Sequence, residues 1–171
     1  MRVSVHDNWV YAQSVDHERC HIVLHTVYPH AEPPEYTDIL FEGVVVHHFE
    51  QQKVGPGPYP ANVLFDVKES DPVFMLGQYS ELLARTKNHG WPVTRYDGTE
   101  DLASQLSAGG AKCFVVHGTC GLHGFVFAAS VEFRRRQSRM QVAEAEPADA
   151  LESASRAVST MEDRSRRPSD R

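Results

Sequence analysis

Four cysteine and histidine residues in one short stretch have the chemistry of metal ligands. They are Cys113, His117, Cys120 and His123, in the pattern C-x3-H-x2-C-x2-H. Zinc prefers four sulfur or nitrogen ligands at the corners of a tetrahedron. The usual structural zinc site, however, contains a C-x2-C pair or an H-x3–5-H pair, and here Cys120 separates the two histidines. We therefore interpret the stretch as a tightly packed hairpin and keep a metal site as the alternative.

Cys120 is also a candidate nucleophile. It lies in the sequence Gly-Thr-Cys-Gly between His117 and His123, and a neighbouring imidazole can activate a thiolate. Such an enzyme needs a third residue to orient its base. The chain offers three candidates for that role: His6, Asp7 and Asp66. Tight-turn geometry accounts for the same glycines, so a non-catalytic hairpin is our first interpretation and a Cys/His-dependent enzyme the alternative.

The other histidines are less suited to bind a metal. His47 and His48 are adjacent and project from opposite faces of a strand. His21 and His25 share a face but lie ~13 Å apart, because a strand rises ~3.3 Å per residue. The enzyme or metal alternative keeps His47 or His48 as a further group beside the 113–123 hairpin. Phosphate-binding glycine loops and zinc-protease motifs do not occur in the sequence, so we predict no cofactor.

Alternation of apolar and polar residues predicts an antiparallel sheet with a hairpin near each end of the apolar part of the chain. The apolar phase shifts by one residue at Gly43, which is typical of a β-bulge. The predicted strands are Trp9–Val15, His21–Tyr28, Thr37–Phe49, Asn62–Lys68, Ala111–His117 and Gly124–Phe133.

Two helices are predicted between the fourth and fifth of these strands. Asp71 suits an N-cap and Pro72 the first helical position, and an apolar stripe at helical spacing continues to a stop at Gly90. This predicts a main helix over Asp71–His89, followed by a shorter one over Thr99–Ser107. The order strands, helices, strands predicts an α+β fold: an antiparallel sheet of five to six strands packed against one main helix and a shorter second helix.

Composition divides the chain of 171 residues into two parts. Residues 1–133 contain 8 Lys and Arg against 16 Asp and Glu, a net charge of −8, whereas residues 134–171 contain 9 against 7, a net charge of +2. Large apolar residues are rare in the second part. We predict a single domain over residues 1–135 and a disordered tail over 136–171, rich in Ala, Ser, Glu and Arg.

The charge and hydropathy also exclude several partners. An acidic body argues against nucleic acid, which needs clustered Lys and Arg, and is compatible with a basic protein partner. Because the sequence has neither a basic segment leading into an apolar run at its start nor a long apolar stretch, we expect no secretory signal and no membrane partner. Three cysteines without a disulfide-framework spacing indicate a reduced, cytoplasmic protein.

Two segments, HDNWVYAQSVDHERCHIVLHT and YTDILFEGVVVHHFE, resemble a loose class of small, mostly uncharacterised bacterial α+β proteins. The matching pieces are His6-Asp7, Phe41-Glu42-Gly43-Val44, Asn62–Val67 and GLHGFVFAAS at 121–130. Some members look like immunity proteins of toxin systems, and the resemblance implies a fold but no catalytic residues. We therefore predict a non-catalytic, intracellular protein-binding domain, with immunity to a toxin as one form of it. A homo-oligomeric structural module is a further alternative.

Overall fold

A computed structural model describes residues 3–51, 62–93 and 95–139 of the chain. Of the predicted disordered tail over 136–171, only residues 136–139 are among them, so that prediction lies almost wholly outside the described residues.

The described residues form one antiparallel sheet of eight strands, in the order β4-β7-β6-β5-β1-β2-β3-β8. The prediction of five to six strands is therefore wrong, and the fold is richer in strand than the predicted α+β arrangement. The strands are β1 (Trp9–Asp16), β2 (His21–Tyr28), β3 (Glu35–Glu42), β4 (Val46–Gln51), β5 (Val63–Ser70), β6 (Lys112–Cys120), β7 (Leu122–Ala128) and β8 (Ser130–Arg136).

The two additional strands arise because two predicted strands are each divided by a bend. The predicted strand Thr37–Phe49 becomes β3 and β4, with Gly43 at a positive φ of 63° between them. The predicted strand Gly124–Phe133 becomes β7 and β8 around Ala129. The two bends touch: a Cβ atom on Gly43 would lie 2.9 Å from that of Ala129. Glycine is therefore required at position 43 for both its conformation and its lack of a side chain.

The paired bends close the sheet on itself. β3 pairs with β8 and β4 pairs with β7, and hydrogen bonds from Val45 N to Phe127 O and from Ala129 N to Glu42 O continue the pairing through both bends. The pairing of Trp9 with Val63 joins β1 to β5. The enclosed space holds an apolar core: Val5, Val10, Ile22, Leu24, Ile39, Phe41, Leu64, Val67, Phe114, Val116, Leu122, Val126 and Ala128.

The predicted main helix is divided into shorter helices, whereas a helix is present at the predicted position of the second one. The helices are α1 (Pro72–Gln78), α2 (Ser80–Thr86) and α3 (Gly98–Ser107), with a short 3-10 helix at Lys87–His89. The predicted cap is present, since the Asp71 carboxylate accepts a hydrogen bond of 2.7 Å from Phe74 N. The predicted single helix Asp71–His89 is wrong because it breaks at Tyr79, whose ring contacts Phe125 with centroids 5.0 Å apart. None of the described helices has the length and hydropathy needed to cross a lipid bilayer.

The helices pack on the outer face of the closed sheet and form a second apolar core. β6 and β7 serve both cores, because side chains of a strand alternate between its faces. Phe114 and Val116 point into the closed sheet, whereas Cys113 and Val115 pack against the helices. The second core contains Val46, Met75, Leu76, Leu83, Tyr96, Leu102, Ala103, Leu106, Ala111, Cys113, Val115, Phe125 and Phe127.

Two residues of α1 test how much this second core stabilises the fold. Leu76 is completely buried, and Phe74 is 63% exposed. We expect Leu76→Ala to lower the free energy of unfolding by about 3 kcal/mol, through lost burial and a residual cavity. Phe74→Ala, the control, should change it by less than about 0.5 kcal/mol. Urea unfolding followed by circular dichroism measures both, and equal effects would contradict the described orientation of α1.

Candidate functional site

The structure brings His117 and His123 together at one groove on the helix side of the sheet. Val116 pairs with Gly124 across β6 and β7, so the two histidines flank this pair at the end of the hairpin. The groove has a volume of about 350 Å³. Its lining residues come from β4, α1, β6 and β7 and the residue after α1: Glu50, Met75, Gln78, Tyr79, Val115, Val116, His117, His123 and Gly124.

Strand register places titratable side chains in a row across the sheet at this groove. Glu50 of β4 is directly opposite His123 of β7, and His117 of β6 is directly opposite Asp66 of β5. Opposite residues of an antiparallel pair have Cβ atoms about 5 Å apart on one face. Four adjacent strands of the sheet therefore contribute neighbouring carboxylate and imidazole groups.

Tyr79 forms an aromatic wall of the groove, and the rings of His48, Trp91 and Phe125 lie behind it. Its ring contacts that of His48 with centroids 5.4 Å apart, and His48 also lies against Trp91 and Phe125. The Nε2 atom of His48 is 3.4 Å from the Glu50 carboxylate. The helix break at Tyr79 thus turns an aromatic side chain toward the sheet, beside the end of the row that Glu50 occupies.

Burial shifts the protonation of two groove residues in the same direction, toward their neutral forms. The pKa of His117 is lowered, chiefly by burial and further by Lys68 and His123, while Asp66 opposes the shift. The pKa of Tyr79 is raised, first by burial and then by the negative charge of Glu50. The groove therefore presents a neutral imidazole and a neutral phenol next to a carboxylate.

The two cysteines of the predicted cluster lie elsewhere. Cys113 is buried in the helix-side core, and burial raises the pKa of its thiol to about 12, with a smaller contribution from Asp71. A thiol with that pKa is not a nucleophile at neutral pH. Cys120 is exposed at the hairpin turn. Within the described ranges, no three His, Cys, Asp or Glu side chains are arranged to hold a metal ion.

The remaining sequence candidates lie around two other cavities. His6 lies 3.0 Å from the Asp7 carboxylate, and its ring contacts that of Phe65 in a tilted arrangement, beside a cavity of about 370 Å³ that Asp66 also lines. His47 faces a second cavity between β4 and the β1–β2 hairpin. The pKa of His47 is lowered by burial and then by His17 and His48.

Sequence reasoning missed Glu50 and Tyr79 as partners of His117 and His123. Their contribution depends on the pairing of β4 with β7 and on the helix break after Gln78. Neither leaves a local signal in the sequence, because residue alternation identifies a strand's faces but not its neighbours.

Comparison of the chain with known protein families, with curated proteins and with solved structures finds no match. The resemblance to immunity-like bacterial proteins accordingly stays a prediction.

The different surroundings of the cysteines predict a selective thiol reaction. With iodoacetamide at pH 8, Cys20 and Cys120 should be alkylated in the folded protein because both are exposed, and Cys113 should be protected. Mass spectrometry of the native protein should show two modifications, and a third should follow only after unfolding in urea. Equally fast alkylation of Cys113 in the native protein would contradict its buried position.

The surroundings of His117 predict its titration. We expect its imidazole to titrate below the ordinary pKa of 6.5, and Asp66→Asn to lower this pKa further by removing an opposing charge. NMR titration of the ring protons measures both shifts, with Asp97→Asn as a control. Because the unfolded chain then binds more protons than the folded one, the His117 contribution to stability should be lost as the pH falls through 6.5 and below. Titration above 6.5 would refute the assignment.

Proposed function

We propose that this chain is a protein-binding domain of the cytoplasm, and that its groove at His117 and His123 is a non-catalytic site that receives a cationic side chain of its partner. The charge of the groove is the observation that supports this proposal. Among its described lining residues, Glu50 is the only Asp, Glu, Lys or Arg. A carboxylate at the rim of an otherwise uncharged groove favours a positively charged group over a negatively charged one.

The chemistry of the other groove residues agrees with a cationic occupant. The lowered pKa of His117 reduces its positive charge, so it would not repel a cation. The Tyr79 ring offers an aromatic face, on which a Lys or Arg side chain can be held by a cation–π contact. Glu50 is 53% exposed, so its carboxylate can reach a ligand without being withdrawn from the core.

Long-range electrostatics supports the same partner class. Residues 1–133 carry a net charge of −8, and a field of one sign accelerates encounter with an oppositely charged protein. The resemblance to immunity-like proteins would make that partner a toxin that this chain masks. Binding, rather than chemistry, is then the whole function of the groove.

Glu50→Gln tests the groove with short capped peptides that carry a central arginine or a central glutamate. We expect the arginine peptide to shift the NMR resonances of His117, His123 and Tyr79, and the glutamate peptide to leave them unchanged. Loss of the carboxylate should weaken arginine-peptide binding roughly fivefold, which corresponds to an ion pair of about 1 kcal/mol.

Glu100→Gln is the matched control, because Glu100 is an exposed carboxylate on α3, outside the lining of the groove. It removes the same charge from the protein and should leave peptide binding unchanged. If both variants weaken binding equally, net charge and not the groove attracts the peptide. If arginine and glutamate peptides produce the same shifts, the proposed selectivity is wrong.

A further inference from the structure

A serine, a histidine and an aspartate form a hydrogen-bonded chain on the outer face of the sheet. Ala12, His25 and Asp38 are opposite one another on β1, β2 and β3, and Ser14 lies two residues along β1 from Ala12 on the same face. Leu24 and Ile39, which alternate with His25 and Asp38, point into the enclosed core. This part of the outer face, over β1 to β3, is distinct from the helix-covered part that carries the groove.

The distances within this chain fit a nucleophile and its base. Ser14 Oγ is 2.8 Å from His25 Nε2, and His25 Nδ1 is 2.8 Å from Asp38 Oδ1. An ionised carboxylate can only accept a hydrogen bond, so the Nδ1 atom of a neutral His25 carries the proton. Its Nε2 atom is then an acceptor, and the Ser14 hydroxyl must donate to it. We propose that Ser14 is a nucleophile activated by His25, with Asp38 positioning the imidazole.

The surroundings hold this arrangement in place. The side chain of His25 is only 5% exposed and that of Asp38 19% exposed, so water competes weakly for their hydrogen bond. Arg136 Nη1 lies 3.5 Å from the second oxygen of Asp38 and fixes the carboxylate from the other side. Ser14 is half-buried, so the residue is partly open to solvent, from which a small electrophile would approach.

The face also carries positive charge near the base. The Arg139 guanidinium lies over the Tyr11 ring at 4.8 Å, and this ring is 6.2 Å from that of His25. A cation on the same face favours the negative charge that develops on the oxygen of an attacked carbonyl. Carboxylic esters are therefore the substrate class that suits this site.

The reaction proceeds in two balanced steps. Ser14 Oγ attacks the ester carbonyl carbon while His25 Nε2 takes the hydroxyl proton, and His25 returns this proton to the departing alcohol as the C–O bond breaks. The product is an ester of Ser14. Water then attacks that ester, giving its proton to His25, and the carboxylic acid leaves as Ser14 regains its proton. Water is the only co-reactant, and no redox change occurs.

A fluorophosphonate reagent tests the proposal on the full-length protein, because it phosphonylates activated serines. We expect peptide mass spectrometry to locate the modification at Ser14, and p-nitrophenyl acetate hydrolysis to fall about 100-fold in Ser14→Ala, as expected when a positioned base loses its nucleophile. Asp38→Asn should slow both reactions, because an amide no longer fixes the required tautomer.

Ser130→Ala is the matched control, since the Ser130 hydroxyl contacts the Glu42 carboxylate instead of an imidazole. It should leave both reactions unchanged. Circular dichroism of each variant excludes unfolding as the cause of a loss. Absence of phosphonylation at Ser14 in the folded wild-type protein, or ester hydrolysis undiminished in Ser14→Ala, would overturn the proposal and show that the chain of hydrogen bonds only satisfies a buried histidine.

Discussion

The contact between the two strand bends is the constraint on which the rest of the structure depends. Gly43 and Ala129 approach so closely that a second Cβ atom would not fit, and hydrogen bonds at Val45 and Ala129 continue the ladder on both sides. Without this contact, β3–β4 and β7–β8 would not remain paired along their whole length. The sheet would then lose its closure and its enclosed core would be exposed to water, at a cost proportional to the apolar area.

Closure leaves the outer face of the sheet with two regions of different chemistry. Where helices cover it, at β6 and β7, the outer side chains form a second core, and the groove lies at the margin of that core, where Glu50 and His123 are adjacent. Over β1 to β3, the outer face instead holds the hydrogen-bonded Ser14, His25 and Asp38. A polar row can remain on this face because each of its members has a partner.

Some features of the fold could be predicted from local sequence and others could not. Asp71 caps a helix as expected, and Gly43 marks a change of direction in the chain. The single helix to His89 was wrong because the packing of Tyr79 against Phe125 outweighs helix propensity. The predicted cysteine and histidine cluster does not assemble. Cys113 and His117 lie on the same face of β6, but they are four residues apart along the strand. Cys113 is therefore in the core and His117 in the groove.

The sequence by itself determined the approximate positions of the strand-forming segments and the helix start at Asp71, because the apolar period and the capping residues are local properties of the chain. It also determined that the body of the protein is acidic. Only the tertiary structure decided which strands are neighbours, and therefore that Glu50 meets His123 and that His25 meets both Ser14 and Asp38. The physical reason is that side-chain alternation specifies the face on which a residue lies, whereas its partners depend on pairing between distant segments.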